Sequence, residues 1–319
     1  MQVWRSLEDV PRELTGSVVA IGVFDGVHRG HRVILDRAVA AARELRLPAV
    51  VVTFDPHPAS VVRPQAAPLM LTSLDGRLAA LADCGVDATL VVPFTVERSQ
   101  QSAADFVDDV LVDSLRARRV VVGANFRFGH KAAGDVVLLQ RAGEGHRFDV
   151  DPVPLLAASG ADVVSSTAVR TMVAAGEVAA AAGALGRPHR VEGLVVRGDR
   201  RGRELGFPTA NVEVPAGTAV PLDGVYAGRL VLPHGESLPA AVSVGTNPTF
   251  DGTERRVEAY VLDRDDLDLY GERVAVEFVD RLRGQERFAD VAALVERMKQ
   301  DIATIRRMLD GEGRETPPH

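Results

Sequence analysis

Apolar residues in the first half of the chain alternate between continuous runs and helical spacings. Continuous aliphatic runs predict buried strands, whereas apolar residues three or four positions apart predict helices. The predicted strands cover residues 17–23, 49–54, 88–92 and 119–122, and the predicted helices cover residues 33–45, 73–84 and 103–116. Buried strands that alternate with helices are typical of a parallel sheet covered on both faces, in which ligands bind beyond the carboxyl ends of the strands.

The second half of the chain has shorter apolar runs separated by turn residues, with no long helix between them. Its predicted strands cover residues 190–196, 209–214, 225–232, 240–244, 257–262 and 274–279. This spacing predicts an antiparallel sheet or a small barrel. Helical spacing returns over residues 288–309, and the alanine-rich segment 174–184 also predicts a helix. Glycine and proline within residues 183–189 indicate a junction between domains 1–186 and 187–319.

Length, charge and cysteine content narrow the class of protein. A chain of 319 residues is long enough for about two domains. Its net charge of −7 argues against a general affinity for nucleic acid or for an anionic membrane. The single cysteine, Cys84, excludes an intrachain disulfide and favours a reducing, cytoplasmic location. Residues 1–11 lack the apolar run of a secretory signal, and no segment approaches the roughly 18 apolar residues of a membrane helix. The sequence does not indicate an oligomeric state, and a homo-oligomer is one of the alternatives.

The first candidate site is the segment 22–31, Gly-Val-Phe-Asp-Gly-Val-His-Arg-Gly-His, between the first predicted strand and helix. His28 and His31 flank Gly30 where the helix begins, and the positive end of a helix favours a phosphate. Two imidazoles there can donate hydrogen bonds to a phosphoryl oxygen as negative charge builds up. The alternative is a surface loop with incidental histidines. The chain has neither a Walker A motif nor the G-x-G-x-x-G of dinucleotide-binding proteins.

The second candidate site is the segment 198–211, Gly-Asp-Arg-Arg-Gly-Arg-Glu-Leu-Gly-Phe-Pro-Thr-Ala-Asn. Thr209 and Asn211 are two residues apart, so on a strand their side chains face the same side. A hydroxyl and an amide on one side can hold Mg²⁺ together with substrate phosphates. Residue chemistry alone favours a plainer interpretation, a basic loop followed by an edge strand.

Glu258 is a candidate general base in a predicted strand of alternating character. It shares a side with Arg256 and Tyr260, opposite the apolar residues of the same strand. As a base it would take the proton of a primary hydroxyl while that oxygen attacks a γ-phosphoryl group. The alternative is an ordinary exposed carboxylate, which strands often carry.

Several of these segments resemble one family, the bacterial bifunctional riboflavin kinase/FMN adenylyltransferases, or FAD synthetases. Segment 22–31 is similar to the signature of the nucleotidyltransferase superfamily to which their first domain belongs. Further similar segments in the first half are Phe-Asp-Pro-His-Pro at 54–58, Gly-Ala-Asn-Phe-Arg-Phe-Gly at 123–129 and Ser-Ser-Thr-Ala-Val-Arg at 165–170. In the second half, similar segments follow in family order at 204–211, which resembles the riboflavin kinase motif, and at 223–226, 245–249 and 268–271.

This resemblance implies a nucleotidyltransferase-like α/β domain with a Rossmann-like parallel sheet, followed by a mainly antiparallel riboflavin kinase β-barrel with a terminal helix. The second domain would phosphorylate riboflavin with ATP to give FMN, and the first would adenylylate FMN with ATP to give FAD and pyrophosphate. The resemblance implies catalytic roles for His28, His31 and Arg170 in the first domain and for Glu258, as the base, in the second. It implies ATP or phosphate contacts in the first domain at Gly22, Phe24, Asp25, Gly30, His57, Asn125, Ser165, Ser166 and Thr167. In the second domain it implies Mg²⁺ ligands at Thr209 and Asn211, and ATP or flavin contacts at Gly206, Phe207, Pro208, Tyr226 and Asn247.

Three other functions are weighed against this one. The first domain could transfer an adenylyl or cytidylyl group to another small phosphate ester, because the histidine motif alone does not name the acceptor. The chain could be a flavin-binding storage or sensor protein without turnover, which would have no need of His28, His31, Thr209 and Glu258 together. A two-domain scaffold is the third alternative. Conversion of riboflavin through FMN to FAD would distinguish the enzyme from all three.

Overall fold

The computed structural model describes residues 1–154, 164–198, 206–249 and 252–312. The chain folds as two compact units. The first unit consists of Met1–Pro68 and Leu74–Ser166, and the second consists of Leu69–Ser73 and Thr167–His319. A short segment of the first half therefore belongs to the second unit.

The first unit is built on a parallel sheet of six strands. These are β1 (Gln2–Trp4), β2 (Ser17–Ile21), β3 (Ala49–Asp55), β4 (Ala88–Pro93), β5 (Ala117–Gly123) and β6 (Asp149–Val153), and their order in the sheet is β1-β4-β3-β2-β5-β6. The α-helices are α1 (Arg29–Leu45), α2 (Pro58–Val62), α3 (Leu74–Ala82), α4 (Val96–Ser99), α5 (Ala103–Phe106) and α6 (Val136–His146). Helix α5 continues into a π-helical segment, Val107–Ser114.

The sheet is covered on both faces, as the continuous apolar runs predict. All five residues of β2 are buried. Val18 and Ala20 pack on the face that contacts α1, whereas Val19 and Ile21 pack on the opposite face among residues of α5 and α6. Strands without an exposed face need apolar residues at every position, which explains the lack of alternation in their sequence.

The second unit is a closed barrel whose strand pairs are all antiparallel, so the predicted barrel is confirmed. Its strands are β7 (His189–Val196), β8 (Ala210–Glu213), β9 (Gly224–Val231), β10 (Ser237–Thr249), β11 (Gly252–Val261) and β12 (Arg273–Arg283), in the closed order β10-β11-β8-β7-β12-β9. The α-helices of this unit are α7 (Ser166–Ala175), whose first residue belongs to the other unit, α8 (Val178–Leu185) and the terminal α9 (Val291–Glu312).

Helix α9 packs on the outside of the barrel. Ile305 and Leu309 are buried against Ala227 of β9 and Val279 of β12. An ion pair also joins α9 to β12, since Arg283 Nη2 lies 2.6 Å from Asp301 Oδ2 and Asp301 is itself buried. The predicted terminal helix is confirmed, three residues later at its start than the apolar spacing indicated.

The prediction of a single helix over residues 174–184 is wrong, because the helical conformation is interrupted between α7 and α8. Gly176 adopts φ = 79°, a left-handed conformation that a helix interior does not allow. A Cβ at this position would lie 3.0 Å from the Tyr226 hydroxyl and from Cδ of Arg281. Gly176 therefore ends α7 in a left-handed turn and leaves room for the close packing against the barrel.

Candidate active sites

The predicted phosphate loop of the first unit links the end of β2 to the start of α1. His28 caps the helix, because its Nδ1 accepts a hydrogen bond from the backbone N–H of His31 at 3.2 Å. An Nδ1 that accepts carries no proton, so the proton of a neutral His28 ring resides on Nε2. The cap therefore sets the tautomer of His28 and places the ring proton on Nε2.

The two histidines of the motif form one stacked pair. Their ring centroids lie 3.6 Å apart with an interplanar angle of 16°. The ring of Phe24 meets His31 edge-on at 5.2 Å, and Phe24 and His28 are both buried. These contacts hold the imidazoles at the N-terminus of a 17-residue helix, the electropositive end that favours phosphate.

The structure brings the predicted Ser-Ser-Thr segment next to this loop. Ser166 Oγ donates a hydrogen bond of 2.9 Å to the backbone carbonyl of Asp25, which is buried. A Cβ at Gly30 would lie 3.2 Å from the Val164 carbonyl and from the ring of His28, so only glycine fits between them without displacement. Residues about 140 positions apart in the chain therefore form one predicted phosphate site.

Two other predicted contacts of the first unit lie at the carboxyl ends of neighbouring strands. His57 follows β3 and caps the short helix α2, since its Nδ1 accepts a hydrogen bond from Ala59 N at 3.0 Å. Asn125 follows β5 and is exposed, and its Oδ1 is the atom that a Cβ at Gly123 would meet, at 3.2 Å. Strands β3 and β5 both pair with β2, so these residues lie at the carboxyl ends of the strands, where the histidine pair also lies.

Thr167 and Arg170 belong to the second unit, on helix α7. Arg170 Nε donates a hydrogen bond of 2.6 Å to the backbone carbonyl of Leu69 in the same unit. The predicted phosphate contacts of both residues remain predictions.

The barrel places the predicted base beside a predicted metal ligand. Glu258 on β11 lies directly opposite Asn211 on β8 and directly opposite Ser243 on β10. The side chains of directly opposed residues point to the same face, with Cβ atoms about 4.5–5.5 Å apart. Val257 and Ala259 are buried in the barrel core, so Glu258 lies on the outer face, as its alternating strand predicts.

The amide of Asn211 lies against Gly198, two residues beyond β7. A Cβ at Gly198 would lie 2.4–2.5 Å from the amide atoms of Asn211, so the side chain of Asn211 occupies the space above that glycine. Thr209 comes just before the first residue of β8 and is half-buried. An amide oxygen, a hydroxyl oxygen and a nearby carboxylate are the hard donors that suit Mg²⁺, so these residues fit the predicted ion.

The remaining predicted contacts of the barrel have different environments. Phe207 packs edge-on against Tyr260 at 5.6 Å, and Tyr260 lies on the same face of β11 as Glu258. Pro208 follows Phe207 and is half-buried. Gly206 is exposed and adopts φ = 84°. The rest of the basic loop, residues 199–205, lies outside the described residues, as does the side chain of Asn247.

Tyr226 occupies the core of the barrel. Its side chain is fully buried, packs edge-on against Phe278 at 5.3 Å and donates a hydrogen bond to the Leu222 carbonyl. Burial raises the pKa of the Tyr226 hydroxyl. The structure therefore gives this residue a role in packing, and its predicted contact with a ligand stays a prediction.

Two polar residues near the sites had no sequence signal. Arg77 on helix α3 is 1% exposed, and burial lowers the pKa of its guanidinium. Gln285, beyond β12, donates from Nε2 to Ser243 Oγ at 3.2 Å and to the Val244 carbonyl at 2.8 Å. Polar residues of this kind usually lie at the surface, so only the fold reveals that they contact the elements of the two sites.

The fold and the candidate sites indicate a two-domain enzyme that transfers phosphorus-containing groups from a nucleotide. Comparison with known families agrees in both halves. The model of the FAD synthetase family matches residues 10–168, and that of the riboflavin kinase family matches residues 185–309.

Individual relatives match almost the whole chain. The bifunctional riboflavin kinase/FMN adenylyltransferase of Escherichia coli strain K12 is 38% identical over 301 residues, which cover 94% of this chain and 95% of the relative. The enzyme of the same description from Pseudomonas fluorescens is 39% identical over 96% of this chain and 97% of the relative. This chain belongs to the family of bifunctional riboflavin kinases/FMN adenylyltransferases.

A solved structure with a different description has a similar fold. The crystal structure of a macrolide-efflux protein from Streptococcus pneumoniae matches with a TM-score of 0.85 and 31% identity, over 95% of this chain and 98% of that one. Among the residues that our structure describes, every helix is too short or too polar to cross a membrane.

Proposed function

We propose that the two activities of this bifunctional enzyme are divided between domains 1–186 and 187–319, with FMN adenylylation in the first and riboflavin phosphorylation in the second. The enzyme converts riboflavin to FMN and FMN to FAD, with ATP as the co-substrate of both reactions. The order of the two matched families along the chain supports this division. The observation that carries the kinase assignment is the direct opposition of Glu258 and Asn211 on neighbouring strands.

In the kinase reaction, Glu258 acts as the general base. Its carboxylate takes the proton of the primary hydroxyl of riboflavin while that oxygen bonds to the γ-phosphorus of ATP. The bond between the γ-phosphorus and the oxygen that bridges it to the β-phosphorus breaks, and ADP leaves with that oxygen. Asn211 and Thr209 would hold Mg²⁺, which when bound neutralises charge on the phosphates.

In the adenylylation reaction, the phosphate of FMN is the nucleophile. One of its oxygens bonds to the α-phosphorus of ATP, and pyrophosphate leaves with the oxygen that linked the α- and β-phosphorus atoms. A phosphate is already ionised near neutral pH, so no base is needed. His28 and His31 donate hydrogen bonds to the phosphoryl oxygens as charge develops, at the positive end of α1, and Arg170 offers a planar fork for the phosphates.

Flavin chromatography tests both halves of the proposal. The purified protein is incubated with ATP and Mg²⁺, with riboflavin in one series and FMN in the other, and products are separated over time. We expect riboflavin to pass through FMN to FAD, and a chelator in excess of Mg²⁺ to stop FMN formation.

Each other outcome contradicts a stated part of the proposal. FAD from FMN with no product from riboflavin would contradict the kinase assignment. Accumulation of FMN without conversion to FAD would indicate that the first domain transfers the nucleotidyl group to a different acceptor. Bound flavin without any turnover would favour the storage or sensor alternative.

Gly198 provides a separate test of the role of Asn211. In Gly198→Ala the new Cβ forces the Asn211 amide to move, so we expect the Mg²⁺ concentration for half-maximal FMN formation to rise about tenfold or more. The measurement is a Mg²⁺ titration of the kinase rate. Gly183→Ala is the matched control, because a Cβ there would meet no described residue outside its own helical turn within 4 Å, and alanine suits helix α8. An unchanged titration in Gly198→Ala would contradict the assignment of Asn211 as a metal ligand.

The cellular setting of the enzyme is also a proposal. A cytoplasmic location and the absence of nucleic-acid and membrane partners are supported by the single cysteine and the net charge of −7. Assembly into a homo-oligomer would be tested by light scattering of the purified protein.

A further inference from the structure

A buried arginine lies directly behind the turn that carries the histidine pair. We propose that Arg77 is a positioning residue for FMN adenylylation, which holds this turn in the shape that aligns His28 and His31. The inference rests on the proposed function of the first domain. Arg77 is on α3, outside every motif that the sequence analysis identified, and its guanidinium reaches the end of β2.

Two side chains hold the same backbone carbonyl. Arg77 Nη1 donates to the Val23 carbonyl at 2.9 Å, and Thr53 Oγ1 on β3 donates to that carbonyl at the same distance. Arg77 Nη2 also lies 3.5 Å from Asp55 Oδ1. The last residue before Phe24 is therefore connected to both α3 and β3.

The turn that begins there has a strained backbone. Phe24 has φ = 53° and Val27 has φ = 39°, in a region that L-residues with bulky side chains rarely adopt. Such conformations persist only where the surrounding structure imposes them, and they concentrate at functional sites. The paired donors on the Val23 carbonyl are placed to impose this shape, immediately before the strained residues.

The buried charge of Arg77 is only partly compensated by its neighbours. The side chain is 1% exposed, and its Nε has no hydrogen-bond partner within the described part of the chain. Its partner Asp55 is about half exposed, so the pair is poorly matched to offset the cost of burying a guanidinium. The buried Asp25 of the predicted phosphate loop adds a second favourable charge interaction with this cation, smaller than that of Asp55. Without this cation, the carboxylates of Asp25 and Asp55 would repel a polyphosphate.

Kinetics of the full-length protein test the proposal, with the kinase reaction as an internal control of folding. Steady-state constants for FMN to FAD and for riboflavin to FMN are measured for Arg77→Met, Arg77→Lys, Thr53→Val and the double variant R77M/T53V. Arg141→Met is the matched control, since Arg141 is exposed on α6. Hydrogen exchange of residues 22–31 reports on the turn without relying on activity.

We expect Arg77→Met to lower kcat for FAD formation about 10²-fold, with a smaller change in KM, while FMN formation stays within twofold of wild type. Arg77→Lys should recover most of the lost activity, because it restores the cation and one donor. Thr53→Val should give a smaller loss, and the double variant should lose less than the two single effects combined, because both residues act on one carbonyl. Exchange of the turn should rise in Arg77→Met.

Several outcomes would overturn the proposal. One is a rate of FAD formation by Arg77→Met within threefold of wild type. Another is a rate for Arg77→Lys no higher than that of Arg77→Met when the two variants have equal thermal stability. A third is unchanged hydrogen exchange of residues 22–31 in Arg77→Met. If Arg77→Met does not fold, Thr53→Val and Arg77→Lys decide by the same criteria. A wild-type protein that makes no FAD would instead contradict the proposed function, and hydrogen exchange would still decide whether Arg77 holds the turn.

Discussion

Replacing His31 with alanine is expected to slow FAD formation from FMN by about 10²–10³-fold while FMN formation from riboflavin continues at the wild-type rate. The magnitude is that of removing one preorganised donor to a developing oxyanion. His31 stacks on His28 in the first turn of the helix whose positive end faces the predicted phosphates, so its loss removes a donor without opening the sheet. The two rates are measured by chromatography of flavins from separate reactions.

A second variant separates the chemistry of this site from its local structure. His28→Asn keeps an oxygen that can accept the hydrogen bond of the helix N-terminus, but removes the imidazole. It should therefore also lose FAD formation at little cost in thermal stability. His146→Ala is the control, because that histidine is part-exposed on α6. FAD output from His31→Ala within threefold of wild type would refute the assignment of the histidine pair.

Replacing Glu258 with glutamine should lower the turnover of riboflavin to FMN by about 10²–10⁴-fold, the usual contribution of a general base. Glutamine has nearly the same shape and can still form hydrogen bonds, but it cannot accept the hydroxyl proton. Adenylylation of supplied FMN should stay at the wild-type rate, because that reaction is assigned to the other domain. Single-turnover measurements with saturating ATP separate the chemical step from binding.

Glu213→Gln is the matched control for this variant. Glu213 is an exposed glutamate on β8, the strand that pairs with the strand of Glu258, so it tests for a general effect of lost negative charge on the barrel. Its kinase rate should match wild type. A loss of less than tenfold in Glu258→Gln would make a base role untenable, and the carboxylate would then be an ordinary exposed strand residue.

Periodicity explains how much of the fold could be predicted. Continuous apolar runs identified β2 to β5, because both faces of a parallel sheet are buried, and alternation placed Glu258 on the outer face of β11. Strand β6 had no such signal, since its sequence Asp-Val-Asp-Pro-Val contains a proline and two charges. At the edge of a sheet those residues are tolerated, so its existence depends on β5 beside it.

The candidate sites divide in the same way. Local sequence indicated that the histidine motif lies where a strand passes into a helix, but the apolar spacing began that helix at residue 33 rather than at Arg29. It did not indicate that Ser166 would bond to the Asp25 carbonyl, 141 residues away, because no local pattern records such a contact. Resemblance to a family identified Asp25 and Ser166 as members of one site, and only the folded structure shows that they are in contact.

Spacing and residue type are local properties, and they were enough to predict an α/β first half, an antiparallel second half and the residues from which each site could be built. The tertiary structure alone decided which residues meet. Closure of the barrel sets the register that opposes Asn211 to Glu258, and packing of α3 on the sheet buries Arg77 behind the histidine turn. Register and burial depend on residues far apart in the chain, and for that reason no local pattern indicates the role of a charged residue such as Arg77.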